Sequence, residues 1–345
     1  MASITFAAVG LKHSHVGSMM RNLIEAGASL KWIYDDDPTT LAFYAAQFPQ
    51  ARVAREESEV LEDQEIKLVA SADMPSRRFA LGKRVIQAGK DYFVDKAPFS
   101  TLGELEQARS LTAQTGMKYA VFYNERIISK AVAHAKRLIE AGEIGRVIHM
   151  TGFGPHAMGN DRPDWYHRKV NNGAIHIDIG CHQIDQFLYL SGSQDARLLE
   201  SKVVNFNHPQ YPELDDYGDA SFVGDNGALL YYRVDWFTPR ALGTFGDGRI
   251  FILGTEGYIE LRKYIDVARG KAGNQLYLVN QTEQRHFDLN DQPGTSFFRD
   301  LIQDCLNRTE TASVQKHDFR VAELSMLAQR DAKVMTNHTY AEKGV

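Results

Sequence analysis

Asp178, His182 and Asp185 are spaced i, i+4, i+7. On a helix that spacing puts all three on one stripe. Ile177, Cys181, Ile184 and Leu188 form a neighbouring apolar stripe, so the segment reads as a helix with one edge in a core and one edge on a cleft. A histidine between two carboxylates can take up a proton near neutral pH, because its unperturbed pKa is about 6.5. Such a base could take a proton from a substrate hydroxyl. The spacing fits equally a core histidine satisfied by Asp178. Cys181 falls off the polar stripe, so a zinc centre is not expected here, and no metal site is predicted elsewhere.

Lys96 is a second reactive group. It follows the short apolar run Tyr92–Val94 and Asp95. At the end of a parallel strand it would lie where open α/β sheets bind ligands. There its ammonium can hydrogen-bond a reacting oxygen and favour alkoxide-like charge. The plain alternative is an exposed strand-end lysine. A third signal is the run Val9-Gly10-Leu11-Lys12-His13-Ser14-His15-Val16-Gly17, strand then turn then helix, where a dinucleotide fold places its phosphate loop. Of the usual three glycines only Gly10 is present, and Lys12 and His15 occupy the other two positions. Lys12 keeps its backbone N–H and adds positive charge. Asp35, 25 positions after Gly10, can accept hydrogen bonds from both ribose hydroxyls and would repel a 2′-phosphate, with Asp36 adding to the repulsion; the predicted cofactor is NAD rather than NADP. Asp37 fits the cap of the next helix.

These groups need a scaffold. The chain has 345 residues, 43% hydrophobic and 24% charged, with a net charge of −5. That length exceeds a single core. The balance argues against nucleic acid or an anionic membrane as partner, and no apolar run is long enough to span a bilayer. Cys181 and Cys305 form no C-x-x-C pair; a reducing cytoplasm is the expected compartment. Up to residue 123, short apolar strands (4–9, 30–34, 66–71, 92–94, 119–122) alternate with helices (14–26, 41–48, 78–88, 104–115), which predicts a doubly wound Rossmann-type parallel sheet over 1–123. Beyond it, helices at 131–141 and 175–190 accompany strands at 146–153, 198–206, 219–223, 228–236, 249–253, 257–262 and 275–280. Turns such as Asp225-Asn226-Gly227 separate some of them. This predicts, over 124–345, a mainly antiparallel open-faced sheet with helices on one side. Two terminal helices, 296–306 and 318–332, are expected to pack back on the first domain.

Three stretches together resemble the glucose–fructose oxidoreductase / inositol dehydrogenase (Gfo/Idh/MocA) family over nearly the whole chain. Residues 88–98, AGKDYFVDKAP, resemble A-G-K-x-V-x-x-E-K-P. Asn124-Glu125-Arg126 precedes a helix ending at Gly142-Glu143-Ile144-Gly145. Residues 172–185, NGAIHIDIGCHQID, resemble G-G-x-x-x-D-x-G-x-H-x-x-D and are the most specific. There are departures. Relatives often have a cis peptide before the motif proline. Here Ala97 follows Lys96, and since cis bonds at other residues are rare, that loop is expected to take a different shape. Arg77 and Arg78 stand near a position where many relatives carry histidine.

The resemblance implies an oxidoreductase that moves a hydride between a sugar or cyclic polyol and the nicotinamide. Lys96, Asp178 and His182 would be catalytic. Gly10, Leu11, Lys12, His13, His15, Asp35, Ser71, Asp95 and Lys96 would hold the cofactor. Arg126, His156, Arg162 and Trp165 would join the catalytic three around the substrate. The loop 154–165 suits recognition: Trp165 can stack on a sugar face, and His156, Arg162 and Asp164 can bind hydroxyls. A surface loop pinned by Trp165 fits as well, and Tyr217, Trp236 and Tyr258 are assigned to the sheet. Two other outcomes suit the same fold, glycosidic cleavage with transient use of bound NAD and ligand sensing without catalysis. Strand 228–236 carries apolar residues on both faces, Leu229, Tyr231, Val234 and Trp236 among them, which predicts a homodimer or homotetramer packed sheet to sheet.

Overall fold

The computed structural model describes residues 3–159 and 162–336; Asn160 and Asp161 of the predicted recognition loop lie outside that range. The chain divides into two compact units. The first contains the residues up to Tyr123 together with Ser296–Ala322, and the second Asn124–Thr295 and the residues from Glu323 onward.

The first unit is a six-stranded, all-parallel sheet in the order β3-β2-β1-β4-β5-β6. Its strands are β1 (Thr5–Val9), β2 (Ser29–Tyr34), β3 (Arg52–Val53), β4 (Ile66–Ser71), β5 (Asp91–Asp95) and β6 (Tyr119–Phe122). Central strands such as β5 and β6 are buried at every position, as expected of a sheet covered on both faces. The helices obey local signals: Asp37 accepts from Thr39 N and Thr40 N at 3.1 and 3.3 Å, and Thr101 with Glu104 forms a capping box. Residues 296–322, placed by sequence in the second region with terminal helices expected to pack on the first, count with the first because Phe297 and Phe298 join Phe93 and Phe122, and Phe319 joins Phe99 and Tyr119.

The second unit is built on a nine-stranded sheet in the order β16-β15-β12-β11-β7-β10-β9-β8-β17. Its strands are β7 (Val147–Pro155), β8 (Ala196–Val204), β9 (Tyr217–Gly224), β10 (Leu229–Asp235), β11 (Arg249–Gly254), β12 (Gly257–Arg262), β15 (Gln275–Asn280), β16 (Gln284–Asp288) and β17 (Lys333–Met335). Two short strands, β13 (Ile265–Asp266) and β14 (Lys271–Ala272), form a separate pair. The sheet is mixed: β7 pairs parallel with β10, β8 parallel with β17, and the remaining pairs are antiparallel. Side chains alternate strictly on β9 and β11, the pattern of a sheet with one face in a core. The helices Lys130–Glu140 and Cys181–Ser191 contact β12, β15 and β7. Tyr217 and Tyr258 lie in the sheet, and Trp236 directly follows β10. On β10, Val234 is buried, whereas Leu229 is 43% exposed on the opposite face, near Phe251 at 37% and Leu253 at 38% on β11.

The sequence pattern missed β16, whose Gln-Arg-His-Phe-Asp is nearly all polar and is tolerated because it is an edge strand. It also left 154–172 as a loop. That stretch contains the end of β7, a 3₁₀ turn at Asp164–His167 and a helical turn at Lys169–Asn172.

Candidate active site

Each unit holds a polar cluster of its own. In the first, β1 ends at Gly10, whose φ is +72°. A Cβ there would lie 2.6 Å from Asp73 Cβ, so only glycine lets the chain pass. Gly10 N donates to Tyr34 O and His13 N to Ala72 O, which ties the turn to β2 and to the end of β4. The Asp35 carboxylate is buried and accepts from Leu11 N at 2.6 Å and Asp37 N at 2.8 Å. Lys12 Nζ bridges Asp35 and Asp36 at 2.7 Å each. The positive charge that sequence assigned to phosphate is therefore held by two carboxylates. Lys12, aided by Arg77, in turn holds the partly exposed Asp36 carboxyl down at about 2 against the effect of burial. Gly10, Asp35, Asp36, Asp73 and Arg77 border an open cavity of about 370 Å³. A glycine that admits no side chain and a buried carboxylate on the next strand suit the adenosine half of a dinucleotide. Ser71 is buried at the end of β4 and accepts from Asp73 N at 3.4 Å.

At the end of β5, Asp95 is fully buried among cations. Arg78 Nη2 reaches its Oδ2 at 3.2 Å, His15 Nδ1 its Oδ1 at 2.9 Å, and His13 Nδ1 lies 3.5 Å away. Arg78, itself buried, also donates to the carbonyls of Asp73, Asp95, Lys96 and Ala97. Burial opposes ionisation of Asp95, but His15 when protonated and Arg78 outweigh it and hold the carboxyl well below the usual range. His13 is pushed well down by burial and by its neighbour His15, and stays neutral. These groups fix the backbone that presents Lys96, whose side chain is buried. The Lys96–Ala97 peptide is cis, so the different shape expected of this loop is not found. His13, His15 and Asp95 each bring a ligand atom within 4.8 Å of the others. Arg78 already occupies that carboxylate, so a divalent cation would meet a fixed positive charge there.

In the second unit the predicted helix does not run evenly. His176–Gly180 forms a π turn, and a regular helix continues from Cys181 to Ser191. Such turns often sit at functional sites. A Cβ at Gly180 would lie 2.8 Å from Tyr232 Oη, and His176 is clamped between Tyr232 OH at 2.9 Å and Lys202 O at 3.0 Å. Burial lowers the His176 pKa to about 4, which makes it a neutral core residue. Asp178 lies within the π turn and accepts from the Tyr166 hydroxyl; Asp178, His182 and Tyr166 are all buried. Asp185, third member of the predicted stripe, is instead fully buried against Arg126, whose Nε lies 2.8 Å from both carboxylate oxygens.

Arg126 is thus engaged within the protein, its guanidinium also lying 5.2 Å from the Tyr189 ring. Arg162 packs on Tyr166 and Trp236 at 4.3 and 4.8 Å. Trp165 is half-buried and tilted against Tyr166, with ring centroids 5.4 Å apart, while Asp164 is exposed. His156 is buried beside Phe245 and Trp236. The sequence reading missed Glu125 as a polar centre. It is buried, ion-paired with Lys263 and close to His156. It also missed Tyr166, whose one signal was its place between Trp165 and His167.

Among the described residues no helix is long and apolar enough to cross a membrane. The model of the GFO/IDH/MocA C-terminal domain matches residues 132–260. A protein of known structure from Erwinia carotovora atroseptica, assigned as an oxidoreductase, is 44% identical, with a TM-score of 0.94 over 96% of this chain and 99% of that one. Scyllo-inositol 2-dehydrogenase (NAD(+)) of Bacillus subtilis is 30% identical over 208 residues, 58% of this chain and 56% of that protein. The chain spans about half the length of the curated relatives it matches. A levoglucosan dehydrogenase in complex with NADH and levoglucosan shares the fold at 17% identity, with a TM-score of 0.80 over 96% of this chain and 98% of that one. The chain belongs to the Gfo/Idh/MocA family.

Proposed function

We propose that this protein is an NAD-dependent dehydrogenase acting on a hydroxyl of a sugar or cyclic polyol. The observation that carries the reading is the pocket at the ends of β1 and β2, where Gly10 admits no side chain and the buried Asp35 waits for ribose hydroxyls. A relative named for NAD(+) and a neighbour in complex with NADH support the cofactor, and the scyllo-inositol and levoglucosan of their names support the substrate class. When bound, NAD supplies the carbon that accepts a hydride. The remaining work falls to side chains. Lys96 holds and polarises the substrate oxygen. His182 takes the hydroxyl proton on its imidazole. Asp178, anchored by Tyr166, orients one of them. His13, His15 and Asp95 line the cofactor side, with Leu11, Lys12 and Ser71 shaping the loop. His156 and Trp165 face the substrate; Arg126 and Arg162 act by bracing the site rather than by touching substrate.

Two further readings go with this one. The apolar outer face of the second sheet, with Leu229, Phe251 and Leu253, suits a second copy of the chain, giving a homodimer or homotetramer; light scattering at micromolar concentration showing monomer alone would refute it. Cys181 and Cys305 are buried thiols, which supports a reducing compartment, the cytoplasm. The test of function is a panel of polyols and sugars assayed for NADH absorbance. At least one should give net NADH. Release of an aglycone without net NADH, or tight NADH binding with no turnover on any member, would overturn the dehydrogenase reading.

A further inference from the structure

Lys263 is a lysine without access to water: its side chain is 1% exposed, and its ammonium pairs with Glu125, also 1% exposed. Replacing such a pair with apolar residues often leaves stability unchanged or improves it, so stability alone does not account for it. The pair does not stand alone. Gln186, one turn beyond His182, accepts from Lys263 Nζ at 3.2 Å. Its amide donates to Glu125 Oε2 at 3.4 Å and to the His182 carbonyl at 2.6 Å. The other carboxylate oxygen, Glu125 Oε1, is buried and receives no hydrogen bond from any described residue. It lies 3.9 Å from His156 Nε2. Tyr264 also borders the carboxylate. A Cβ at Gly248 would lie 2.9 Å from Lys263 Cε, so the backbone leaves room for the lysine to enter. Burial pushes the Glu125 carboxyl up, but Lys263, His182 and His156 together hold it well below the usual range.

We propose that Glu125, paired with Lys263 and bridged to the site helix by Gln186, is a positioning residue whose carboxylate stabilises the imidazolium formed at His182 and fixes His156 beside it. The inference rests on His182 being the base. The proton balance is simple. The substrate O–H bond breaks and an N–H bond forms on His182, the C–H electron pair leaves as hydride to the nicotinamide, and Glu125 stays ionised throughout. The charged and titratable groups facing Glu125 are Lys263 and Tyr264 beyond β12, His182 on the site helix and His156 beyond β7. Asp178 and Asp185, the latter paired with Arg126, are the other carboxylates near His182 along the chain.

The test is the pH dependence of kcat/KM for alcohol oxidation. An imidazole base must be neutral to act, so the rate falls on the acid side. Removing a nearby negative charge makes the imidazole less basic and moves that limb to lower pH. Glu125→Gln, which leaves Lys263 buried and unpaired, can fail to fold. The double variant E125Q/K263M removes both charges at similar volume. It should fold and bind NADH as the wild type does and lose about tenfold in kcat; its acid limb should shift down by less than about 1 unit, because losing the Lys263 charge opposes part of the effect of losing the carboxylate. Glu125→Asp should restore part of the limb. An unshifted limb in the folded double variant, with His182→Ala inactive, overturns this inference and leaves the base assignment standing. Full activity of His182→Ala overturns the base assignment, and the inference with it.

Discussion

Asp95 and Glu125 are both buried carboxylates among cations and histidines, yet they are held in different ways. Asp95 is met by Arg78, whose planar fork also donates to four backbone carbonyls. The charge is fastened to the end of β5 and fixes the shape of the chain that carries Lys96. Glu125 is met by a lysine, a single point charge, and by one side-chain amide, with one oxygen left toward the histidines. Arginine suits a role in holding geometry and lysine leaves more of the field directed outward. The first cluster is built to keep a loop in place. The second is built to act on its neighbours.

The contrast breaks most directly at Arg78. Arg78→Met would strand Asp95, and the loss should be about 3–5 kcal/mol in urea unfolding, whereas the E125Q/K263M pair should change stability by much less. Equal losses would mean that the second pair is structural as well. In activity, His182→Ala should lower kcat by about 10²–10⁴-fold while NADH fluorescence titration gives a near-normal affinity; lost NADH binding would show that the two clusters are not separable. Acid stability separates both from a purely structural histidine. His176 has its pKa lowered by burial from 6.5 to about 4. The unfolded chain therefore takes up this proton below pH 6.5 and the folded chain does not until about pH 4. Stability should fall across that window as pH drops, by about 3 kcal/mol in total at 1.36 kcal/mol per unit. Above it His176 adds no slope. His176→Gln should flatten the dependence seen by urea unfolding between pH 4 and 7, and an unchanged slope would point to other groups. At the cofactor end, Asp35→Ser should weaken NADH about tenfold and narrow its advantage over NADPH; tighter NADPH binding by the wild type would sink the NAD assignment. Smallest is Ala174, which has φ +69° at the entrance to the site helix. Ala174→Gly should raise the melting temperature slightly, by at most about 1 kcal/mol of stability, and a drop would mean that its methyl packing outweighs the strain.

What the sequence disclosed divides along the same line. The βα rhythm, Gly10, Asp35 and the cap at Asp37 are local patterns, and the structure holds each where spacing put it. Asp178 and His182 were singled out because they share one short segment, and the structure buries both there. Asp185 fell in the same stripe, but its pairing with Arg126, 59 positions away, has no local signal. The π turn was hidden because Gly180 reads as an ordinary helical residue until Tyr232 is brought against it. Lys12 was legible as a charge but not as a charge already neutralised. The Glu125–Lys263 pair joins residues 138 positions apart, and neither carries a motif that points to the other.

The first unit closes late. The outer edge of β6 is finished by groups from the far end of the chain: Tyr119 N donates to Gln315 Oε1 and Val121 N to Asp318 Oδ2, both at 2.9 Å. On the ribosome, where chain emerges at about 5–20 residues per second, those partners arrive roughly 10–40 s after the strand. Until then β6 presents open backbone N–H groups to any strand nearby. During that interval the nascent protein is exposed to edge-to-edge pairing with other nascent chains, and a chaperone that shields it has most to protect there.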